Sequence, residues 1–154
     1  MEQDLEYRRS LMESYKKKIE PLFRYVTWLE AKQGQKVSST YTGDDKGNRT
    51  MAFPVYDSTL LGFVKEVQRS GLTDRNYVYQ YRHYRMETPA EELAEINNVT
   101  IKNVELLTGV LSKYVCEGMT KGRMWSLAVE EGIFLAILLK FKELFDLWDQ
   151  PMEN

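Results

Sequence analysis

The chain has 154 residues, of which 43% are hydrophobic and 29% are charged, and its formal net charge is -2. This length predicts one domain that needs no disulfide or structural metal, and this composition excludes a disordered chain. The near balance of 21 basic and 23 acidic residues excludes a whole-surface attraction to nucleic acid or anionic lipid, although it leaves room for a local basic patch.

The cysteine and histidine content limits the disulfide and metal-binding chemistry that the chain can carry. Cys116 is the only cysteine and His83 the only histidine. The chain therefore has neither an intramolecular disulfide nor the cysteines for a zinc site. The first ten residues, MEQDLEYRRS, carry charges where a signal peptide has an apolar run. We expect a cytoplasmic protein that needs no cofactor.

The N-terminal segment predicts a helix from about Asp4 to Lys32, because apolar side chains recur there at spacings of three and four. Pro21 should kink or split this helix, since proline removes an amide donor and crowds the preceding turn. Gly34 suits the end of the helix. We assign residues 1–34 to a helical extension of a single domain that covers residues 1–154.

Residues 35–55 differ from the rest of the chain, because β-branched and aromatic residues there surround the turn sequence GDDKGN. This pattern predicts a small β-hairpin between Val37 and Pro54. Pro54 should end the second strand, since proline cannot donate a hydrogen bond to a sheet. A loop without regular structure is the alternative.

The helical core is predicted over residues 56–150. Asp57 or Ser58 caps its first helix, which Gly71 ends. The sequence TPAEE at residues 88–92 is a strong helix start. It offers a capping hydroxyl, a proline in the first turn and acids near the positive end of the helix dipole.

Two more helices complete this core. Thr100 opens the first of them, which ends at Gly118, and the second runs from about Lys121 to Trp148, with Pro151 beyond it. The fold class that follows is mainly α. It is a helical bundle with a C-terminal αα-hairpin and the small β-hairpin as an insertion.

The last predicted helix contains the apolar block IFLAILL at residues 133–139. A membrane span takes roughly 20 apolar residues, so this block is too short to be one. A helix that is apolar on every side is typical of one enclosed by others, and we expect Phe134 to lie in the core. The preceding CEGMTKGR sequence lacks the residue order of a phosphate-binding loop.

Glycines suggest how the last two helices pack. Gly118 to Gly122 is the predicted turn, and Gly109 and Gly132 lie at nearly equal distances on either side of it. Missing side chains at the same height would let the two backbones approach closely, which offsets a helix penalty of about 1 kcal/mol for each glycine. We therefore expect the helices to cross near Gly109 and Gly132.

The segment RNYVYQYRHYR at residues 75–85 is the most unusual part of the sequence. On a helix its tyrosines at 77, 81 and 84 share one face. Tyrosine and arginine are favoured in protein interfaces, and they also stack on bases and bind phosphates in single-stranded nucleic acid. The alternative is that the tyrosines pack on the core with their hydroxyls near the surface. The candidate binding residues are Tyr77, Tyr79, Tyr81, Arg82, Tyr84 and Arg85, with a smaller basic group of Lys113, Lys121 and Arg123 around a turn.

Catalytic and metal-binding arrangements have little support. A thiol–imidazole pair would need His83 beside Cys116, and nothing in their spacing predicts contact. Metal binding would depend on the acid pairs at 91–92 and 130–131, which suit a helix start and a solvated margin. We expect no catalytic residue and no metal ligand, and we rank an enzyme behind the binding functions.

Residues 50–72, 76–81 and 106–144 together resemble a family of small uncharacterised bacterial proteins, known as a domain of unknown function. The stretches read TMAFPVYDSTLLGFVKEVQRSGL, NYVYQY and LLTGVLSKYVCEGMTKGRMWSLAVEEGIFLAILLKFKEL, and the match covers about residues 50–146. The resemblance implies the helical hairpin and no particular activity. The best-matched positions are Tyr56, Phe63, Gly71, Leu106, Leu107, Thr108, Glu117, Gly118, Gly132 and Leu138.

These observations favour a non-enzymatic cytoplasmic module that binds another protein through residues 77–85 and the hairpin tip. Small size without a catalytic arrangement suits an accessory or inhibitory protein of bacterial or phage origin. The alternative is a protein that binds single-stranded nucleic acid through Tyr79, Tyr81, Arg82 and Arg85. A homodimer is a further expectation, because 12% aromatic residues can leave an apolar patch uncovered, and no membrane contact is expected.

Overall fold

Helices dominate the architecture of the chain. A computed structural model describes residues 2–35, 38–42 and 52–148. In chain order the elements are α1 (Glu2–Ile19), a 3-10 helix (Glu20–Tyr25), α2 (Val26–Lys32), β1 (Ser38–Thr42), β2 (Ala52–Tyr56), α3 (Ser58–Ser70), α4 (Tyr77–Tyr84), α5 (Pro89–Asn97), α6 (Glu105–Glu117), α7 (Met124–Glu130) and α8 (Ile133–Trp148). The mainly helical fold class is confirmed.

Local rules place several of the helix ends. Pro21 lies in the first turn of the 3-10 helix, so the predicted interruption of the N-terminal helix is confirmed. Asp57 accepts a hydrogen bond from the backbone of Thr59 at the start of α3, and Gly71 ends that helix in the left-handed conformation. Thr88 forms the capping box of α5. These predicted boundaries are all confirmed.

Strands β1 and β2 pair antiparallel, with Ser38 opposite Tyr56 and Thr42 opposite Ala52. Pro54 was expected to end the second strand, and this expectation is wrong, because β2 continues to Tyr56. In a two-stranded sheet each strand has an edge where no amide donor is needed, so a proline is tolerated within it. The turn sequence between the strands lies outside the described residues.

Helix α8 lies at the centre of the apolar core. Phe134 is fully buried, and its ring centroid lies 4.9 Å from that of Phe63 on α3 and 6.3 Å from that of Tyr114 on α6. Phe141 packs against Tyr15 of α1 in the same way, with ring centroids 5.7 Å apart. The apolar block of the sequence therefore belongs to the core. Among the described residues, no helix has both the length and the apolar character to cross a membrane.

The last two helices differ from their predicted form. The predicted helix from Lys121 to Trp148 is two helices, α7 and α8, because Gly132 between them has a positive φ of 75° that favours glycine. Thr100 does not open α6, which begins at Glu105. Thr100 instead starts a turn, in which its backbone amide donates a hydrogen bond to the Asn103 side chain.

The predicted approach of Gly109 to Gly132 is wrong. A methyl group built on Gly109 would lie 2.8 Å from Cγ of Gln80, so this glycine makes room for α4. A methyl group on Gly132 would instead lie 2.7 Å from Nε2 of Gln33, near the end of α2. Each glycine does allow a close approach, but to a different neighbour.

Enclosure of the apolar block on every side is also wrong along one stripe of α8. Leu139 is 41% exposed, and Ala136 is only half-buried, whereas Ile133, Phe134 and Ile137 are fully buried. Leu139 and Ala136 belong to one stripe of α8 that the other described elements leave partly uncovered.

We expect the substitution Phe134→Ala to lower the free energy of unfolding by about 3–5 kcal/mol, because it removes a fully buried ring between α3 and α6. Urea unfolding followed by circular dichroism measures this loss. Val78→Ala is the control, since Val78 is 45% exposed, and it should change the free energy by about 0.5 kcal/mol or less. Equal losses in the two variants would contradict a central position for α8.

Candidate functional site

Helix α4 carries most of the predicted binding residues, and it packs against α6. Its start is shaped by Asp74, whose carboxylate accepts the backbone amide of Asn76. Its end is set by Arg85 in the left-handed conformation, with the Arg85 amide bonded to the carbonyl of Tyr81. Residue 109 on α6 is a glycine, which lets Gln80 of α4 lie close to the α6 backbone. The helix is therefore short and closely seated.

The inner face of α4 consists of half-buried tyrosines that bind neighbouring helices. The Tyr77 hydroxyl donates to Glu117 Oε2 of α6 over 3.0 Å, and the Tyr81 hydroxyl donates to Glu92 of α5. The hydroxyl of Tyr84 accepts from Asn103 Nδ2 over 3.2 Å. The three tyrosines do share one face, as predicted. This face points into the protein, which agrees with the alternative that the tyrosines pack on the core.

A buried carboxylate connects α4 to two other helices. Glu92 is fully buried and accepts hydrogen bonds from the hydroxyls of Tyr81 and Tyr114, the latter over 2.5 Å. The ammonium of Lys113 lies 3.3 Å from the same carboxylate and 4.5 Å from the Tyr81 ring centroid. Two phenols and one cation thus compensate for the loss of water around the charge.

The predicted acid pair at the start of α5 divides into two roles. Glu91 accepts the amide of Thr88 in the capping box and is exposed, as the helix-start interpretation predicts. Glu92 also lies in the first turn of α5, as predicted, and it is in addition a fully buried interior group. The helix dipole favours any acid in a first helical turn. The sequence alone therefore did not distinguish the role of Glu91 from that of Glu92.

Burial and carboxylate acceptors shift the acidity of these tyrosines. Burial, together with the hydrogen bond to Glu92, raises the pKa of Tyr81 and of Tyr114 far above the ordinary value. Burial and the Glu117 carboxylate raise the pKa of Tyr77 to about 12. All three phenols therefore remain protonated donors at neutral pH.

The α4 outer face is an exposed surface of basic and aromatic side chains. Tyr79 is 65% exposed and Val78 is 45% exposed. The Tyr79 and His83 rings stack with centroids 5.8 Å apart and planes 14° from parallel. We define this face as Arg75, Val78, Tyr79, Arg82, His83 and Arg85, all of which are exposed. A shallow groove of about 560 Å³ runs along residues 74–82.

Sequence reasoning missed part of this face. Tyr79, Arg82 and Arg85 were among the predicted binding residues, whereas Arg75 and His83 were not. The signal was available, because residues 75, 78, 79 and 82 follow helical spacing and lie away from the three inner tyrosines. The expectation that those tyrosines bind a ligand hid this pattern.

The predicted basic group around the turn after α6 is not one patch. Lys113 is paired with the buried Glu92, and Lys121 lies 3.0 Å from Glu117, the carboxylate that also accepts from Tyr77. Arg123 is exposed at the start of α7, with a left-handed backbone. Two of the three cations therefore neutralise the acids that anchor α4, and they do not form a ligand site together.

The thiol and the imidazole have separate surroundings. The His83 ring contacts Tyr79 and Tyr84 on its own helix. Burial raises the pKa of the Cys116 thiol above its ordinary value. Arg75 opposes this shift and Glu117 adds to it. The raised pKa disfavours a nucleophilic thiolate. Within residues 2–35, 38–42 and 52–148, no three His, Cys, Asp or Glu side chains come together as a metal site requires.

Comparisons with protein-family models, with curated proteins and with solved structures gave no match. The resemblance to a family of uncharacterised bacterial proteins therefore stays a prediction from the sequence. The candidate site is defined by the geometry of α4 alone.

We expect Glu92→Gln to lower the free energy of unfolding by about 3–5 kcal/mol, because the substitution leaves the Lys113 ammonium without its buried partner. The NH₂ group of the glutamine would also face a tyrosine hydroxyl that donates its proton to this position, so two hydrogen-bond donors would meet. Chemical denaturation measures the loss, with Glu95→Gln on the same helix as the control. A loss no larger than that of the control would show that the carboxylate does not hold the three helices together.

We also expect stability to fall as the pH rises from 10 to 12. The pKa of Tyr77 is about 12 in the folded chain and near 10 when unfolded, so the unfolded chain loses its proton first in this range. Melting temperatures across this range measure the slope. Tyr77→Phe should make the slope shallower, and Glu117→Gln should act in the same direction. An unchanged slope in both variants would contradict the assignment.

Proposed function

We propose that this chain is a non-enzymatic module that binds a partner protein through the α4 outer face. The observation that carries the proposal is Tyr79, an aromatic ring that is 65% exposed beside the exposed Val78. Large exposed aromatic and apolar groups next to arginines have the composition of interface hot spots. The arginines at 75, 82 and 85 suit a partner with an acidic surface.

Rigidity supports this proposal. The inner tyrosines fix α4 through hydrogen bonds to Glu92, Glu117 and Asn103. Tyr79 is itself stacked on His83. A ring that is ordered before binding loses little conformational entropy in a complex, so more of its contact energy is available for affinity.

The alternative function is binding of single-stranded nucleic acid. Its support is the Tyr79–His83 stack, which offers a flat platform beside Arg82. Proteins of that kind stack successive bases on several exposed rings. The tyrosines at 77, 81 and 84 are directed inward, which leaves Tyr79 as the exposed tyrosine of α4, and this favours the protein partner.

The proposal includes the wider setting that the sequence indicated. We propose one helical-bundle domain, in which β1 and β2 are the arms of a β-hairpin and α6 and α7 form an αα-hairpin. Support comes from the antiparallel strand pairing and from one apolar cluster that runs from Met12 to Phe145. We propose a cytoplasmic accessory or inhibitory role of bacterial or phage origin, supported by small size alone. The hairpin tip, a second predicted contact, lies outside the described residues.

A photo-crosslinking amino acid placed at position 79 tests this function in cells. We expect a crosslink to a protein, and we expect Arg82→Glu in the same chain to abolish it, because the charge reversal opposes an acidic partner. The control places the crosslinker at Lys65, which is exposed on α3. Equal crosslinking from the two positions would contradict the α4 outer face as the binding surface.

The same experiment separates the two functions. A nuclease-sensitive crosslink at position 79 would support the nucleic-acid alternative. In that case a labelled single-stranded oligonucleotide should bind the purified chain with an affinity that falls steeply with salt and drops with Arg82→Ala. A protein interface built on Tyr79 and Val78 should depend on salt far less.

A further inference from the structure

A second surface lies on α8, where two apolar grooves meet. The first groove, between α5 and α8, has a volume of about 530 Å³ and is lined mainly by Leu93, Ile96, Ala136 and Leu139. The second, of about 360 Å³, lies further along α8, with Leu144 and Leu147 in its wall. Residues 140 and 143 line both grooves and separate them.

Exposed leucines accompany these grooves. Leu139 is 41% exposed and Leu147 is 57% exposed, and both lie on α8. Ala136, Lys140, Glu143 and Leu147 follow one another at spacings of four, three and four residues. This spacing forms the kind of seam on which a second helix packs.

The seam is complementary to the same seam of a second copy that runs in the opposite direction. If a second α8 lies antiparallel, with a two-fold axis between residues 141 and 142, Ala136 faces Leu147 of the second copy. The large Leu147 side chain of the second copy then meets the small Ala136 side chain above the first groove. Leu139 in turn lies at the height of Leu144 of the second copy, a buried residue at 4% exposure in the wall of the other groove.

Charges at the centre of the seam obey the same two-fold relation. Lys140 faces Glu143 of the second copy, and the reciprocal pair forms on the other side of the axis. Within one chain the Lys140 ammonium lies 2.7 Å from the Glu143 carboxylate and donates to the Asn97 carbonyl over 2.9 Å. The Lys140 side chain is 13% exposed, and its ammonium has a third donor for a bond across the axis. The Glu143 side chain is 56% exposed and available to a second copy.

We propose that this stripe of α8 is a homodimer interface, in which two copies pack antiparallel through Ala136, Leu139, Lys140, Glu143 and Leu147. The occupant of each groove is an exposed leucine of the second copy. The interface is distinct from the α4 outer face, and the proposal does not depend on the proposed function.

Charge reversal provides the sharpest test, measured by sedimentation velocity or by light scattering after gel filtration. We expect a dimer for the natural chain. Lys140→Glu alone and Glu143→Lys alone each place like charges opposite each other twice, so each should raise the dimer dissociation constant by more than about tenfold. The double variant Lys140→Glu/Glu143→Lys should restore the dimer, and so should an equal mixture of the two single variants.

Controls keep the result specific to this seam. Lys142→Glu changes the net charge as Lys140→Glu does, but residue 142 lies on another side of α8, so the dimer should persist. Leu147→Glu should give a monomer with an unchanged circular dichroism spectrum. A natural chain that is monomeric at every concentration would overturn the proposal. So would a dimer that survives both single charge reversals, or single variants that fail to rescue each other.

Discussion

The fully buried carboxylate of Glu92 is the interaction on which the rest of the candidate site depends. It joins Tyr81 of α4 to Tyr114 and Lys113 of α6 from a position on α5. No residue of α4 is itself fully buried, and its tyrosines at 81 and 84 are only partly buried against the core. Transferring a carboxylate from water costs several kcal/mol, which only well-placed donors offset. The α4 outer face is therefore positioned by polar chemistry inside the protein.

The sequence predicted those parts of the fold that local chemistry decides. A capping hydroxyl, a proline and a left-handed glycine act within a few residues of themselves, so Thr88, Pro21 and Gly71 mark real boundaries. The burial of Phe134 followed in the same way from an apolar block too long to face water. In each case the information needed was contained in one short segment.

Tertiary pairing was the information that the sequence lacked. Helical spacing showed that the tyrosines at 77, 81 and 84 share one face, but not that the acceptors at 92, 103 and 117 turn this face inward. The glycines show the same limit. Missing side chains at 109 and 132 correctly indicated close approach, and only the fold supplies Gln80 and Gln33 as the groups that approach. Glu92 was hidden because a carboxylate in a first helical turn already has a local explanation.

The two proposed surfaces have consequences for each other. A two-fold dimer through α8 would carry two α4 outer faces, each fixed rigidly to the same core by the Glu92 network. A partner that presents two copies of an acidic site would then be held by both faces, and the second contact would form at a high effective concentration. Modest affinity at one Tyr79-centred face would suffice for firm binding. The charge distribution is compatible with this arrangement, because the α4 outer face carries three arginines while the α8 seam is balanced by Lys140 and Glu143.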